Sequence, residues 1–360
     1  MANYMNITNI DISTFSNYFS LTVSDYNQNP KNALYNCQTQ SQTIIVKHDD
    51  QIVNETNIAE QISQIPYYSL FFSILEDYNL LNITQTDNKE KYYLFKYANK
   101  YCVPMMEYLY SITNIKQLLF ISIHSFSYLL HSLSLLHNNN ICFLNISPEN
   151  IVYQTKSGEK PLLNNFRFSI ILDNINIKTF MTCLNGLNNF TYQPLEIYIL
   201  YYLIKHNMNT ISYSFIEEFC ETFISNLHIL KLEIFTEKYK QSYKEQCIYI
   251  IKKYVNKPKN EIIQNIWSKR QKWDIYGISV IYIQIFYSIC HTFSLKQTFL
   301  NEIVFKLSLN LHPDSNCRMT LERTIQTFNE LFDKQRDWNF VNQLDNSSYK
   351  MEELFETFSN

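Results

Sequence analysis

Residues 1–40 are polar and aromatic without a clear period, which predicts an irregular or short-stranded start. The first sharp pattern is the β-branched run Thr43–Lys47 (TIIVK), read as a strand that ends on Lys47. Ile58, Ile62 and Ile65 then recur at helical spacing over 54–65. Asn54 or Thr56 is the expected cap, and Pro66 closes the helix. The stretches 67–81 and 91–97 read as further strands, and this strand-rich unit ends near Val103–Pro104. From Met105 the period turns helical. Leu118–His137 (LLFISIHSFSYLLHSLSLLH) is apolar around most of its circumference and predicts a largely buried helix. A polar loop follows, and Gly158–Lys160 reads as a turn between two short strands. The block 197–272 is helical throughout, with Ser214-Phe215-Ile216-Glu217 as a capping box and a break at Pro258. Asp274 is the expected N-cap of an apolar helix running from Ile275 to about Cys290. A charged tail begins at Asp333, with Met351–Phe358 as a short amphipathic end.

Composition narrows the possible functions. The chain has 360 residues, of which 46% are hydrophobic and 18% charged, enough apolar surface for large cores. A net charge of −3 supplies no strong field for a phosphate backbone, so nucleic acid is not an expected partner. Only three glycines occur, Gly158, Gly186 and Gly277, so no Gly-rich phosphate loop exists before residue 158. That removes Walker-type NTPases and ordinary dinucleotide-binding folds. The 25 Lys against 5 Arg, with abundant Asn and Ile, read as an A+T-rich coding bias. The 8 cysteines form no C-x-x-C pair, which predicts reduced intracellular thiols rather than a zinc site. The N-terminus lacks the pattern of a signal peptide. The apolar runs Leu195–Ile204 and Ser279–Cys290 are too short to span a bilayer, so no membrane span is expected.

The order of a small strand unit followed by a larger helical one gains meaning from five short motifs. LLHNNNICFLNISPENIVY resembles the catalytic loop of eukaryotic-type protein kinases, through His137, Ile141, Pro148, Glu149, Asn150 and Ile151. LLNNFRFS (162–169) occupies the place of the family's Asp-Phe-Gly metal motif. Tyr192-Gln193-Pro194-Leu195-Glu196 resembles the end of the activation segment. Trp273-Asp274-Ile275-Tyr276-Gly277 resembles the start of the central helix. Leu311-His312-Pro313-Asp314 with Arg318 resembles the family's last motif. The resemblance implies an α+β, bilobal protein-kinase-like fold. Its small β-rich N-lobe is 1–103 and its large helical C-lobe 104–335, with a helical insertion at about 197–272 and a tail at 336–360. The insertion and composition also resemble kinase-like proteins of large DNA viruses, which implies a virus-encoded, cytoplasmic protein.

The departures decide what the resemblance implies about activity. The family's catalytic Asp is replaced by Asn145, its phosphate-contacting Lys by Ser147, and its metal-binding Asp by Asn165. An amide is neutral and is no base near neutral pH. Mg²⁺ prefers anionic oxygen, which Asn150 and Asn165 do not supply. Lys47 and Glu60 are the candidates for the family's lysine–glutamate pair, and with Asn150 they make a vestigial nucleotide site. The resemblance assigns structural roles to His137, Glu196, Asp274, Gly277 and Arg318: Glu196 and Arg318 as a buried pair, Asp274 as a brace for the catalytic loop. It therefore implies a pseudokinase that binds a protein partner as a scaffold or assembly component. No cofactor is expected, metal-free ATP being the alternative ligand. The competing expectation is a divergent serine/threonine kinase or other nucleotide-dependent transferase that uses Lys47, Asn150, Glu149 and Asp173.

Overall fold

The computed structural model describes residues 4–5, 21–22, 35–37, 43–47, 50–85, 88–97, 102–154, 160–173, 177–186, 190–335, 338–344 and 347–359. Up to residue 50 and from 77 to 97 it describes the backbone path alone. Short strands β1 (Tyr4–Met5), β2 (Leu21–Thr22), β3 (Tyr35–Cys37) and β4 (Thr43–Lys47) precede helix α1 (Asp50–Ile62). Strands β5 (Phe72–Ser73), β6 (Leu75–Gln85), β7 (Asn88–Tyr97) and β8 (Cys102–Pro104) follow. The largest sheet has the order β1-β6-β7-β4-β3-β2, and β4 lies antiparallel to β7 with Ile45 opposite Leu94 and Lys47 opposite Tyr92.

Beyond Pro104 the chain is mainly helical. Helices α2 (Met105–Tyr110) and α3 (Ile115–Asn138) lead into strands β9 (Ile141–Cys142), β10 (Ile151–Gln154), β11 (Pro161–Asn164) and β12 (Ile170–Ile171). Helices α4 (Ile177–Gly186), α5 (Leu195–Lys205), α6 (Tyr213–Ser225), α7 (Glu237–Lys252) and α8 (Lys259–Trp267) come next. The chain ends with α9 (Trp273–Thr292), α10 (Phe299–Ser308), α11 (Leu321–Lys334) and α12 (Ser348–Ser359). Strand β10 pairs antiparallel with β11 and with β8, and β11 runs parallel to β5, so the second sheet carries the loops on both sides of the candidate site. The mixture of a first strand-rich region and a larger helical one is α+β. The turn expected at Gly158 lies outside the described residues.

Several element boundaries differ from the sequence expectation, for physical reasons. Helix α1 begins at Asp50, so Asn54 and Thr56 lie inside it rather than at its cap. Helix α6 has Ser212 as its N-cap, so Ser214 is not the capping residue expected there. The capping box lies instead at Thr298 and Asn301, where each side chain or backbone group answers the other. The stretch 67–81 is interrupted by a turn of 3-10 helix at Tyr68–Leu70 before β5 and β6.

Helix α9 is the centre of the core. Trp273, Ile275, Tyr276, Ile278, Tyr282, Phe286 and Ile289 are all buried. Against it packs α3, whose Phe126 ring lies 4.7 Å from that of Tyr282. Each such side chain contributes roughly 1.5–3 kcal/mol on burial. Polar groups in this interior are answered: the Tyr282 hydroxyl meets Ser125 Oγ at 2.7 Å, and Asn310 donates to Ser279 Oγ at 3.0 Å. Ile115–Asn138 and Arg270–Thr292 are long and apolar enough to cross a membrane by length and composition. Burial of 61% and 83% of their most apolar windows inside the fold accounts for that character. The second is longer than the run Ser279–Cys290 alone indicates.

Candidate functional site

The loop between β9 and β10 is held from beneath by the first turn of α9. Asp274 is 1% exposed, and both its oxygens accept from loop backbone: Oδ2 from Phe143 N at 2.9 Å and Oδ1 from Leu144 N at 2.8 Å. His137 Nε2 stands 3.0 Å from the same Oδ2. Asp274 is thus not a helix cap, because its carboxylate is used by the loop. These charge-assisted contacts offset the cost of burying a carboxylate. They also hold Leu144 at φ 60, a left-handed conformation that costs a leucine about 1–2 kcal/mol. The Gln193 side-chain amide donates to the Leu144 carbonyl and fixes the other end of that residue. One turn along α9, a Cβ on Gly277 would stand 3.0 Å from Ile146 Cβ and 3.0 Å from the Tyr192 carbonyl oxygen. The glycine is what lets helix and loop approach so closely.

On this braced loop a set of short polar groups meets. Asn150 Nδ2 donates to the Asn145 carbonyl at 2.9 Å and to Ser147 Oγ at 3.0 Å. Asn165, at φ 64 beyond β11, donates its Nδ2 to Asn150 Oδ1 at 2.9 Å. Asparagine tolerates that left-handed backbone. Asn165 Oδ1 is buried without a hydrogen-bond partner. The side chains at 145, 147, 150 and 165 are three amides and one hydroxyl, and together they carry no charge. A hard divalent cation takes anionic oxygens. The Asn150 oxygen, moreover, is already occupied by an amide donor. These residues therefore do not fit Mg²⁺. Among the described residues, no three of His, Cys, Asp and Glu converge anywhere as a metal cluster.

The turn after Asn165 is locked to α1. Phe166 is buried, its ring 5.9 Å from that of Phe72 and 5.1 Å from that of Phe143. Arg167 Nη2 lies 3.4 Å from Glu55 Oε2 on α1. Asn54 Nδ2 donates to the carbonyls of Arg167 at 2.9 Å and Ser169 at 2.8 Å. It also lies 3.6 Å from Cys183 Sγ on α4. Burial pushes the Cys183 thiol up to about 12, so it is no thiolate nucleophile near neutral pH.

Glu55, not Glu60, is the inward-facing acid of α1. Ile52, Glu55, Ala59 and Ile62 follow one another at helical spacing and are all buried. Glu60, five positions after Glu55, lies about 140° round the helix and is exposed. Glu60 therefore does not join the site. Lys47 closes β4, and its side chain lies outside the described residues. Glu149 is exposed on the loop, and exposed Asp173 accepts from Asn140 Nδ2 at 3.1 Å. Neither carboxylate has a bond into the amide cluster. The residues missed in the sequence are Asn54, Glu55 and Gln193. For Glu55 the signal was present: it is a lone carboxylate on an otherwise apolar stripe.

The last constellation ties α5 to the segment before α11. Arg318 makes a fork to Glu196, Nη1 to Oε1 at 3.0 Å and Nη2 to Oε2 at 2.7 Å, with side chains 0% and 3% exposed. Its Nε donates to the His312 carbonyl at 2.7 Å, and its guanidinium lies 5.2 Å from the Tyr276 ring centre.

No family model matches the chain, and no curated protein matches it. A solved structure is similar to it. That structure is the twitchin kinase region from C. elegans, 14% identical, with 90% of this chain and 47% of that chain covered at a TM-score of 0.44. This chain spans about half the length of that structure.

Proposed function

We propose that the chain is a divergent, two-lobed relative of the protein kinases that no longer transfers phosphate and acts by binding a protein partner. The motif order supports the kinase reading, and so do the relations among motif residues: Asp274 under the loop, Glu196 on Arg318, Asn150 beside Asn165. The observation that carries the loss of activity is the Asn165–Asn150 hydrogen bond, which joins two neutral amides where the reaction needs a charged metal ligand. Replacing a positioned base by Asn145 removes about 10²–10⁴ in rate by itself. What persists is the scaffold, and a scaffold without its reaction is a binding module.

The test is a γ-phosphate transfer assay on the full chain with generic protein substrates, in Mg²⁺ and in Mn²⁺. The expected result is no transfer above background and no metal-dependent rise in melting temperature with millimolar ATP. Transfer that disappears on Lys47→Met would overturn the reading and restore a divergent transferase.

A further inference from the structure

A groove of about 320 Å³ opens between α10 and α11 and shares no residue with the amide cluster. Leu309, Met319 and Leu331 give it an apolar lining. Phe305, one residue before Lys306 on α10, is 61% exposed, and Leu309, which caps that helix, is 44% exposed. So α10 turns bulky apolar groups outward at its C-terminal end, beside the cavity. Methionine suits a surface that must fit a side chain arriving from elsewhere, because its thioether stem is flexible and polarizable.

The charges around this groove are one-sided. Lys306, Arg323 and Lys334 line it against a single acid, Glu330. Glu330 Oε1 accepts from Gln326 Nε2 at 2.8 Å and lies 3.7 Å from Arg323 Nη1. Lys306 and Lys334 have no acidic partner among the described residues. The chain as a whole is acidic, at −3. Around the same helix α11, a second depression is lined by Glu322, Glu330 and Asp333 with no cation. Helix α11 therefore separates a basic, apolar groove from an acidic surface, and an acidic ligand is drawn to the first and repelled from the second.

We propose that the α10–α11 groove docks a short acidic peptide segment of a partner protein. A bulky apolar side chain of the segment enters between Leu309, Met319 and Leu331. Its carboxylates lie along Lys306, Arg323 and Lys334. The volume is at the low end of the roughly 300–1,000 Å³ of clefts that enclose a compact ligand, which suits one anchoring side chain. Three cations with an interposed glutamate are too few for a phosphate backbone, whose binding rests on many such contacts. The proposal goes beyond the reading of the amide cluster and holds whether or not the chain transfers phosphate.

Selection of short random peptides on the full chain at physiological salt tests it. The enriched peptides are expected to combine Leu, Phe or Met with several Asp or Glu residues. The affinity of the best of them should fall at least about tenfold on Lys306→Glu/Lys334→Glu, and by a smaller factor on Lys306→Gln/Lys334→Gln, which disturbs the two helix ends less. Leu309→Asp should weaken the same peptide independently. Enrichment of neutral or basic peptides, or binding unaltered in all three variants, would overturn the proposal. So would concentration-dependent self-association that Lys306→Glu/Lys334→Glu abolishes, since it would give the groove to a second copy of the chain.

Discussion

Among the polar clusters of this molecule, two treat charge in opposite ways. Glu196 and Arg318 set a carboxylate against a guanidinium at 3% and 0% exposure, and a two-pronged contact and the His312 and Pro313 carbonyls answer the guanidinium. Asn145, Ser147, Asn150 and Asn165 are neutral: Asn150 bonds the Asn145 carbonyl, Ser147 and Asn165, and Asn165 Oδ1 is left without a partner. Water exclusion makes an ion costly in the first cluster, and less so in the second, where Asn145 and Asn165 are half-buried. The first cluster meets that cost from within the chain. A charged version of the second would need a cation from outside. The first cluster thus carries its own counter-charge, and the second has no charge to counter.

The largest expected effect breaks the charged cluster. Arg318→Met leaves Glu196 buried without its partner and should cost about 3–5 kcal/mol. Chemical denaturation followed by circular dichroism would show it as a lower midpoint at unchanged slope. Replacing both partners, Glu196→Leu with Arg318→Met, should recover most of the loss, because no uncompensated ion remains. If the double variant is as unstable as the single one, packing around Tyr276 rather than charge accounts for the effect.

The brace beneath the loop comes next. Asp274→Asn turns one acceptor oxygen into a donor that faces the backbone N–H of Phe143 or Leu144. A loss of about 3 kcal/mol is expected from the broken charge-assisted bonds. Gly277→Ala pushes a methyl against Ile146 and the Tyr192 carbonyl and should cost about 1–3 kcal/mol. Both are read by the same denaturation experiment. Both should also release protection of the Leu144 amide in hydrogen exchange, which Arg318→Met should alter less.

How much of this was readable without coordinates follows from what each residue's role depends on. The helix at 115–138 and the central helix at 273–292 were legible because their apolar patterns are long. Asp274, Gly277, Glu196 and Arg318 were singled out because they sit in ordered motifs. Glu60 was the acid named on α1, although Ile58 and Ile62 mark the apolar face and Glu55, three positions before Ile58, lies on it. The role of Asn54 was hidden because its partners, the carbonyls of Arg167 and Ser169, are more than a hundred residues away in the chain. Backbone carbonyls carry no sequence signature. The groove between α10 and α11 was equally hidden, since its cations come from two helices and the loop residue Met319 separates them.

The smallest effect bears most directly on the contrast between the clusters. Asn165→Asp is nearly isosteric, yet it replaces a donor by an oxygen pointing at Asn150 Oδ1. Asn150 cannot turn its amide to answer without giving up the Asn145 carbonyl and Ser147 Oγ. The variant should therefore lose about 1–2 kcal/mol in the absence of divalent ions. Added Mg²⁺ should return part of that loss in the variant, since the new carboxylate supplies the anionic oxygen the site lacks. The unmodified chain should show no Mg²⁺-dependent shift. A shift of equal size in both proteins would mean that the ion binds elsewhere, and the contrast between a charged and a neutral cluster would no longer explain the difference.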